Sequence, residues 1–306
     1  MKLTILGCHS AVPRINTPHS AQVLEIQNRM FLIDCGEGTQ VQLRTQKIKF
    51  SKIKHIFISH LHGDHVFGLI GLISTFRLLN REAKIHVYGP IGIKELIVTQ
   101  LRLTQSYAGY PIEFHELSSK EPELIYEDKK VTVTTIPLKH RIYTNGFLFE
   151  EKEKPRGLNI SEVNKYPEIE TCDYNNLKLG KDFQLSDGSI ILNKELTFDP
   201  PAPLRYAFCS DTMYNPEMVS QIDGVDLLYH EATFLDDFKE LAEKTNHSTA
   251  AQAATIAKLA KVKKLVLGHF SARYPDTQLY LEEAKTTFKN VELAAPGKIF
   301  EVSISK

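Results

Sequence analysis

Short apolar runs rich in β-branched residues recur along the chain and alternate with amphipathic segments. The first is Lys2 to Leu6, and the next two, Ala21 to Gln27 and Arg29 to Asp34, flank a turn at Asn28. Such runs are typical of strands, whereas apolar residues spaced three or four apart are typical of helices. Because strands followed by helices recur in both halves, we expect an α/β fold, a four-layer αββα sandwich.

The densest polar motif follows one of the predicted strands. Ser59-His60-Leu61-His62-Gly63-Asp64-His65 places three imidazoles and a carboxylate in six consecutive positions after the apolar run 54–58. Imidazole and carboxylate without thiolate suit Zn, Mn or Fe, and groups so close together cannot all converge on one ion. The motif predicts two adjacent metal ions on a strand-to-helix loop. The alternative is a polar surface loop with an accidental run of histidines.

Three single residues of ligand type each end a later predicted strand. They are His140, Asp211 and His269; the strand before His140 is β-branched, and the other two residues end apolar strands. Any one of them alone could be an ordinary surface residue. All three together are what a metal site at one edge of a β-sandwich needs, since the ligands must come from the ends of separate strands.

A second group of polar residues suggests supporting roles. His247 precedes an Ala-rich helix that Ser248 would cap, and Glu231 follows a buried strand and could orient His247 as a general acid. The alternative for His247 is an exposed residue at a helix start. Asp34, at the end of its strand, could accept a hydrogen bond from a ligand imidazole.

The remaining histidines are expected to lie outside the site. Three lie inside predicted strands, where a histidine is more often a core or edge residue than a ligand, and two near the N-terminus are expected to be surface residues. In that order they are His55, His86, His115, His9 and His19.

Composition limits the class of protein without deciding about nucleic acid. The 306 residues are 42% hydrophobic and carry 37 basic and 37 acidic side chains, so the chain can bury a large core but has no basic coat. The chain reaches Gly7 too soon for a signal peptide, and no apolar run approaches the length of a membrane span. Four scattered cysteines form no C-x-x-C pair. We expect a soluble cytoplasmic protein with reduced thiols.

The segment between Gly146 and about Ile190 changes in character. Glu150 to Gly157 mixes acidic and basic residues, and no sustained apolar periodicity follows. This is the main candidate for a protrusion or linker. A solvated loop without function is the alternative, since charged, Pro-containing stretches usually face water without binding anything.

Taken together, these motifs resemble ribonuclease Z, the transfer-RNA 3′-processing endonuclease, in its short form. His-x-His-x-Asp-His after a buried strand is similar to the metallo-β-lactamase superfamily, and the whole set in this order is specific to the family. Cys8 and His9 depart from the more glycine-rich loop usual there. The segments that carry the resemblance are Asp34 to Gln40, His60 to His65, His230 to Thr233, His247 to Thr249 and His269 to Tyr274.

The resemblance implies a single metallo-β-lactamase-fold domain over residues 1–306, with a substrate-binding arm inserted at about 147–190. It also implies two Zn²⁺ per subunit, with Mn²⁺ or Fe²⁺ possible. The expected partners are precursor tRNA and a second copy of the chain, and no association with a membrane is expected. By similarity, one ion takes His60, His62 and His140, the other takes Asp64, His65 and His269, and Asp211 bridges them.

The resemblance further implies a mechanism. Asp64 would be the base, and His247, oriented by Glu231, would protonate the departing 3′-oxygen, leaving a 3′-hydroxyl on the tRNA and a 5′-phosphate on the trailer. Arg273 would contact a phosphate or, alternatively, form a surface ion pair. Two other functions stay open: a hydrolase of the same fold acting on small phosphodiesters or sulfate esters, and a catalytically inert RNA-binding protein.

Overall fold

The structure is a computed structural model that describes residues 1–303 of the 306. Its first half builds one sheet and the helices that cover it. In chain order the elements are β1 (Lys2–Gly7), β2 (Ala21–Ile26), β3 (Arg29–Ile33), α1 (Thr39–Thr45), β4 (Ile53–Phe57), α2 (Gly63–Val66), α3 (Gly68–Leu78), β5 (Ile85–Pro90), α4 (Ile93–Leu103) and β6 (Ile112–Leu117).

The second half begins the second sheet, leaves it for an inserted segment and then completes it. The first strands are β7 (Leu124–Glu127), β8 (Val131–Pro137) and β9 (Asn145–Glu151). The inserted elements are β10 (Gly157–Leu158), α5 (Ile160–Val163), α6 (Tyr174–Lys178), β11 (Phe183–Gln184), β12 (Ile190–Ile191), α7 (Asn193–Leu196) and β13 (Thr197–Phe198). The chain ends with β14 (Arg205–Cys209), β15 (Leu227–Glu231), α8 (Lys239–Thr245), α9 (Ala250–Leu259), β16 (Leu265–Gly268), α10 (Gln278–Lys285), β17 (Val291–Leu293) and β18 (Ile299–Glu301).

Two seven-stranded mixed sheets form the main unit. Their strand orders are β18-β1-β2-β3-β4-β5-β6 and β17-β16-β15-β14-β9-β8-β7. Strands β3 to β6 run parallel, as do β14 to β17, and the antiparallel pairs lie on the other side of each sheet. The predicted α/β sandwich of the metallo-β-lactamase type is confirmed.

Aromatic side chains fill the space between the two sheets. Phe31 of β3 packs on Phe57 of β4 and on Phe149 of β9, with ring centroids 5.8 and 5.4 Å apart. Because alternate residues of a strand point to opposite faces, a second set of apolar side chains lies on the other face of the first sheet. Helices cover that face. There α3 buries Leu69 and Leu72 against a second apolar cluster. Both faces of the sheet are therefore covered, as the apolar strand sequences require.

The segment Glu151–Pro203 forms a compact unit of its own. It is not a loop, because Val163, Ile169, Leu177 and Leu196 form a small apolar core. Its bounds differ from the expected 147–190 at both ends: Phe147 and Phe149 of β9 are buried in the main core, and Leu196 belongs to the core of the inserted unit.

The inserted unit leaves and re-enters the main unit between two paired strands. Glu150 of β9 lies opposite Arg205 of β14 in an antiparallel register, and their side chains form an ion pair of 2.8 Å. A short turn could therefore replace the whole insertion without changing the sheet. Within residues 1–303, no helix has the length and apolar character to cross a membrane.

Candidate metal centre

Seven imidazole and carboxylate side chains converge beyond the ends of four strands. The loop after β4 carries two of them, α2 carries the next two, and one each follows β8, β14 and β16. They form two groups in which the possible ligand atoms lie within 4.8 Å of one another. The first group is His60, His62, His140 and Asp211, and the second is Asp64, His65 and His269. The structure thus brings together every residue that the sequence nominated as a metal ligand.

Asp211 faces both groups with a different oxygen. Its Oδ2 lies 3.5 Å from His60 Nε2 and 3.8 Å from His140 Nε2. Its Oδ1 lies 3.2 Å from both His65 Nε2 and His269 Nε2. A carboxylate in this position can share its two oxygens between two ions, so the geometry suits a dinuclear centre.

The backbone is strained where two of these side chains, and that of the neighbouring Asp34, leave the sheets. Asp34, Asp211 and His269 have φ values of 56°, 56° and 59°, and each comes within two residues of the end of a strand. This left-handed region costs a residue other than glycine about 1–3 kcal/mol, and such strain gathers at functional sites. The sharp turn carries each side chain away from the strand direction and towards the cluster.

Hydrogen bonds on the outer ring nitrogens orient the imidazoles. His65 Nδ1 donates to Asp34 Oδ2 at 2.6 Å, and His140 Nδ1 donates to the Asn246 carbonyl at 2.9 Å. Each bond places a proton on Nδ1 and leaves Nε2 turned to the cluster as the atom that a metal would take. Burial lowers the pKa of His65, but the carboxylates of Asp211, Asp64 and Asp34 more than offset this and raise it, so a cation would displace the Nε2 proton of that ring. The contact expected of Asp34 is therefore present.

Two hydroxyl groups extend this support, and sequence reasoning gave neither a role. Ser59 Oγ lies 3.0 Å from both His60 Nδ1 and Asp34 Oδ2. Thr233 Oγ1 lies 2.9 Å from His269 Nδ1 and 2.5 Å from a Glu231 oxygen. The available signal was position, because each hydroxyl lies inside one of the polar motifs, next to or near a site residue.

The centre concentrates negative charge in a buried place. Asp34, Asp211 and Glu231 are 0%, 2% and 0% exposed. Burial alone would raise the pKa of the Asp211 carboxyl group, but the surrounding imidazoles, His269 first, hold it well below its usual range. Burial also keeps the pKa of His60 well below its ordinary value. Ionised carboxylates and neutral imidazoles are the forms that bind a cation, and buried carboxylates need one nearby.

Glu231 and His247 form the pair expected from the sequence. His247 Nδ1 donates to Glu231 Oε1 at 2.9 Å, and the His247 ring lies 5.0 Å from that of His140 and 5.5 Å from that of His269. Burial lowers the pKa of His247, but the Glu231 carboxylate more than offsets this and raises it to about 9. His247 can therefore carry a proton next to the metal-ligand cluster.

Two expectations near this pair and near the N-terminus were wrong. Thr249 rather than Ser248 caps α9, in a capping box with Gln252, while Ser248 Oγ donates to the Thr212 carbonyl. His19 is buried rather than on the surface, because its backbone packs so closely on Gly7 that a Cβ there would lie 1.8 Å from the His19 carbonyl oxygen.

Arg273 lies outside the convergent group. Its side chain is exposed, and the guanidinium sits 5.9 Å from the centroid of the Phe238 ring. Within residues 1–303 it forms no ion pair. The surface ion pair considered as its alternative role is therefore absent, and a phosphate contact stays a prediction.

Known proteins are similar to this chain in sequence. The chain is 51% identical over 294 residues to a ribonuclease Z from Bacteroides thetaiotaomicron, across 96% of this chain and 92% of that protein. The chain belongs to the ribonuclease Z family. Residues 1–154, just over half of the chain, also match the family model described as "Anti-Pycsar protein Apyc1", and the chain falls within that family too.

Solved structures show the same fold. The human short-form tRNase Z, ELAC1, is 27% identical, with a TM-score of 0.72 over 99% of this chain and all of that one. The metallo-β-lactamase fold protein YhfI from Bacillus subtilis is 18% identical, with a TM-score of 0.68 over 98% of both chains, which bears on the fold alone. Ribonuclease Z membership and the metal-ligand cluster thus agree.

Proposed function

We propose that this protein is a metal-dependent endoribonuclease that removes the 3′ trailer from precursor tRNA. The observation that carries the proposal is the convergence of seven ligand-type side chains beside the Glu231–His247 pair. Family membership supports the same activity, since relatives of this length and similarity are named ribonuclease Z. The proposed products are a 3′-hydroxyl on the tRNA and a 5′-phosphate on the trailer.

The donor atoms fit two zinc ions. Zinc bonds of 2.0–2.1 Å in a tetrahedral arrangement hold donor atoms about 3.3 Å apart. His62 Nδ1 lies 3.0 Å from His60 Nε2 and 3.3 Å from His140 Nε2. Asp64 Oδ2 lies 3.4 Å from His65 Nε2 and 3.3 Å from His269 Nε2. Mn²⁺ or Fe²⁺ would suit the same oxygen and nitrogen donors.

Each side chain then has a role in hydrolysis. When bound, such cations would lower the pKa of the attacking water and stabilise negative charge on the phosphoryl oxygens. Asp64 accepts the proton of the attacking water. His247 carries a proton on Nε2 and gives it to the departing 3′-oxygen, while Glu231 holds the ring through Nδ1. Because water is the nucleophile, the 2′-hydroxyl takes no part.

A cavity beside the cluster offers space for the RNA. It has a volume of about 680 Å³ and is lined by Lys139, His140, Arg141 and Tyr143 among others. His140 thus joins the cavity to the metal-ligand cluster. The guanidinium of Arg141 suits phosphate oxygens and the Tyr143 ring suits a base, whereas Lys139 is already paired with Glu217 at 2.6 Å. A single strand can therefore lie here with its scissile bond at the cluster. Arg273 would add a contact farther along the strand.

The inserted unit is proposed to hold the body of the tRNA. It carries ten acidic and seven basic residues, so its whole surface does not attract phosphate. Binding would therefore rest on particular lysines that are not already paired with carboxylates. Lys181 is exposed, and its ammonium group donates to the Asn176 side chain rather than to an acid. It is the first candidate for a phosphate contact.

A homodimer in the cytoplasm would complete the substrate site. An acceptor stem and T arm are longer than a pocket at one sheet edge, and a net charge of zero leaves few free basic residues in one subunit. Phosphate contacts from a second chain add to binding without a basic coat on either. The inserted unit of one subunit would hold the tRNA that is cut in the other.

Mixed subunits test this shared arrangement. One subunit carries His65→Ala with an intact inserted unit, and the other has residues 152–203 replaced by Asn-Gly with intact ligands. We expect cleavage to recover, because the complementary parts meet in one complex. No cleavage by mixed dimers verified by mass spectrometry would exclude sharing, and a monomeric mass for active enzyme would exclude the dimer.

Two substrates separate the proposal from its alternatives. Cleavage of precursor tRNA at the trailer, with end-group analysis of both products, supports ribonuclease Z activity. Turnover of a small chromogenic phosphodiester or sulfate ester without RNA cleavage would support a different hydrolase of this fold. RNA binding without any turnover would support an inert binding protein.

A further inference from the structure

A second group of histidines lies on the first sheet, away from the strand ends that carry the metal-ligand cluster. His86 of β5 lies opposite Glu113 of β6, and His115 lies opposite Tyr88. These side chains share the face on which Tyr88 and Leu117 are buried, because residues two apart in a strand point the same way. The group therefore sits at the β6 edge of that face, and β6 is the outermost strand.

The ligand atoms of this group lie at metal-binding distances from one another. His86 Nδ1 and His115 Nε2 are 3.0 Å apart, and each lies 3.8 Å from a different oxygen of Glu113. The separations lie on either side of the roughly 3.3 Å expected around a tetrahedral zinc ion. The three side chains are 26%, 32% and 46% exposed, so an ion can enter and water can fill a fourth position.

Stacking holds both imidazoles in place before any ion arrives. The His86 ring stacks on His55 with centroids 4.9 Å apart at 13°, and the His115 ring stacks on Tyr88 at 4.2 Å and 8°. Ligands that are already oriented lose little conformational entropy on binding. Burial also lowers the pKa of both His86 and His115, so each imidazole is neutral at neutral pH and needs at most a shift of its single N–H to the other ring nitrogen to bind an ion.

One neighbouring cation competes for the carboxylate. Lys84 Nζ donates to Glu113 Oε2 at 2.8 Å, and without a metal the two imidazoles can share a single N–H···N hydrogen bond. A bound ion would replace the lysine at one oxygen. Because Lys84 competes with the ion for Glu113, we expect this site to bind metal more weakly than the buried seven-ligand centre. No lysine contacts the ligands of that centre among the described residues.

We propose that His86, His115 and Glu113 bind one divalent transition-metal ion, zinc or one of similar preference, which ties the edge strand β6 to β5. Two imidazoles and one carboxylate suit Zn²⁺ and Cu²⁺ rather than Mg²⁺ or Ca²⁺. Such an ion would staple the edge strand where no further strand protects it. This site is independent of the proposed RNA cleavage, and its residues take no part in that chemistry.

Zinc titration of the full chain after chelation tests the site. We expect wild type to bind one more equivalent than His115→Ala, and Glu113→Gln to weaken that equivalent more than about 100-fold, beyond the roughly 10- to 100-fold that loss of a supporting residue causes. Glu116→Gln is the matched control, since it removes a charge from the same strand on the opposite face and should bind as wild type does. Lys84→Ala should bind zinc more tightly.

Further variants separate this site from the catalytic one. His65→Ala should keep the β5–β6 equivalent, and His115→Ala should keep full precursor-tRNA cleavage. Circular dichroism checks that each variant folds, with His86→Asn as the second variant if His115→Ala does not. Equal zinc equivalents and equal zinc-dependent shifts in unfolding temperature for wild type, His86→Asn and Glu113→Gln would overturn the proposal, and the two imidazoles would then share only their hydrogen bond.

Discussion

The strand ends of the main unit and the inserted unit 151–203 differ in how deeply their charged side chains are buried. At the strand ends the carboxylates are buried and face imidazoles from four separate segments. In the inserted unit each ion pair among the described residues has at least one exposed partner, and in the pair of Lys165 with Glu162 both side chains are exposed. Buried, convergent charge is costly without a cation, whereas exposed pairs contribute little to stability. The buried arrangement suits catalysis. In the exposed arrangement a basic side chain can exchange its carboxylate partner for a group of a polyanion.

The two regions also differ in what supports them. The strand ends extend from two large sheets whose aromatic side chains pack together, whereas the inserted unit rests on a core of four buried apolar residues. A small core leaves little free energy to oppose local opening. Loss of a side chain should therefore abolish chemistry in one region and alter substrate binding in the other.

The largest effect is expected from the metal ligands. Asp64→Ala and His65→Ala should abolish cleavage and lower the metal content, but leave the circular dichroism spectrum unchanged, because both residues lie at the edge of the core. The control is Asp187→Ala, which removes an exposed acid from the inserted unit and should keep full activity. Two tightly bound equivalents with full activity in both ligand variants would mean that the site is misassigned.

The proton donor should have the next largest effect. His247→Ala should slow precursor-tRNA cleavage about 10²- to 10⁴-fold, the range for a general acid, with metal content unchanged. A p-nitrophenyl phosphodiester should be far less affected, since its leaving group departs without a proton. The cleavage rate of Glu231→Gln should lie between those of wild type and His247→Ala, because the Gln amide can still orient the His247 ring. Equal losses on both substrates would argue against proton donation by His247.

Removal of the inserted unit should act on binding instead. Replacing residues 152–203 with Asn-Gly should weaken tRNA binding at least about 10²-fold, the low end of what a second linked contact adds. Hydrolysis of a small phosphodiester should change little, because Glu150 and Arg205 keep their pairing. If both activities fell together, the unit would belong to the folding core rather than to substrate binding.

The smallest effect concerns single lysines of the inserted unit. Lys181→Ala should lower the slope of log K against log salt concentration by about one, the change expected for one lost phosphate contact. Lys165→Ala is the control, because Lys165 is already paired with Glu162. Equal salt dependence for wild type and Lys181→Ala would direct the search for the phosphate contact elsewhere.

The inserted unit shows where reasoning from sequence stopped. Its charge mixture suggested a protrusion or linker and gave no sign of a core, yet Val163, Ile169, Leu177 and Leu196 meet in one. They are spread over more than 30 positions and follow no regular period, so local pattern could not join them. The compact unit extends to Pro203, past the expected end at about 190, for the same reason, since Leu196 belongs to a core that only folding assembles.

The sequence alone determined the ligand types and their positions at the ends of apolar strands, and with them the α/β sandwich. A strand is short and its apolar pattern is local, so these features are present in the order of residues. Only the tertiary structure decided that residues 65 and 269 meet, that Ser59 and Thr233 support the imidazoles, and that His86 and His115 come within 3.0 Å. These contacts depend on strand order and register, which join residues that are distant in sequence or on separate strands.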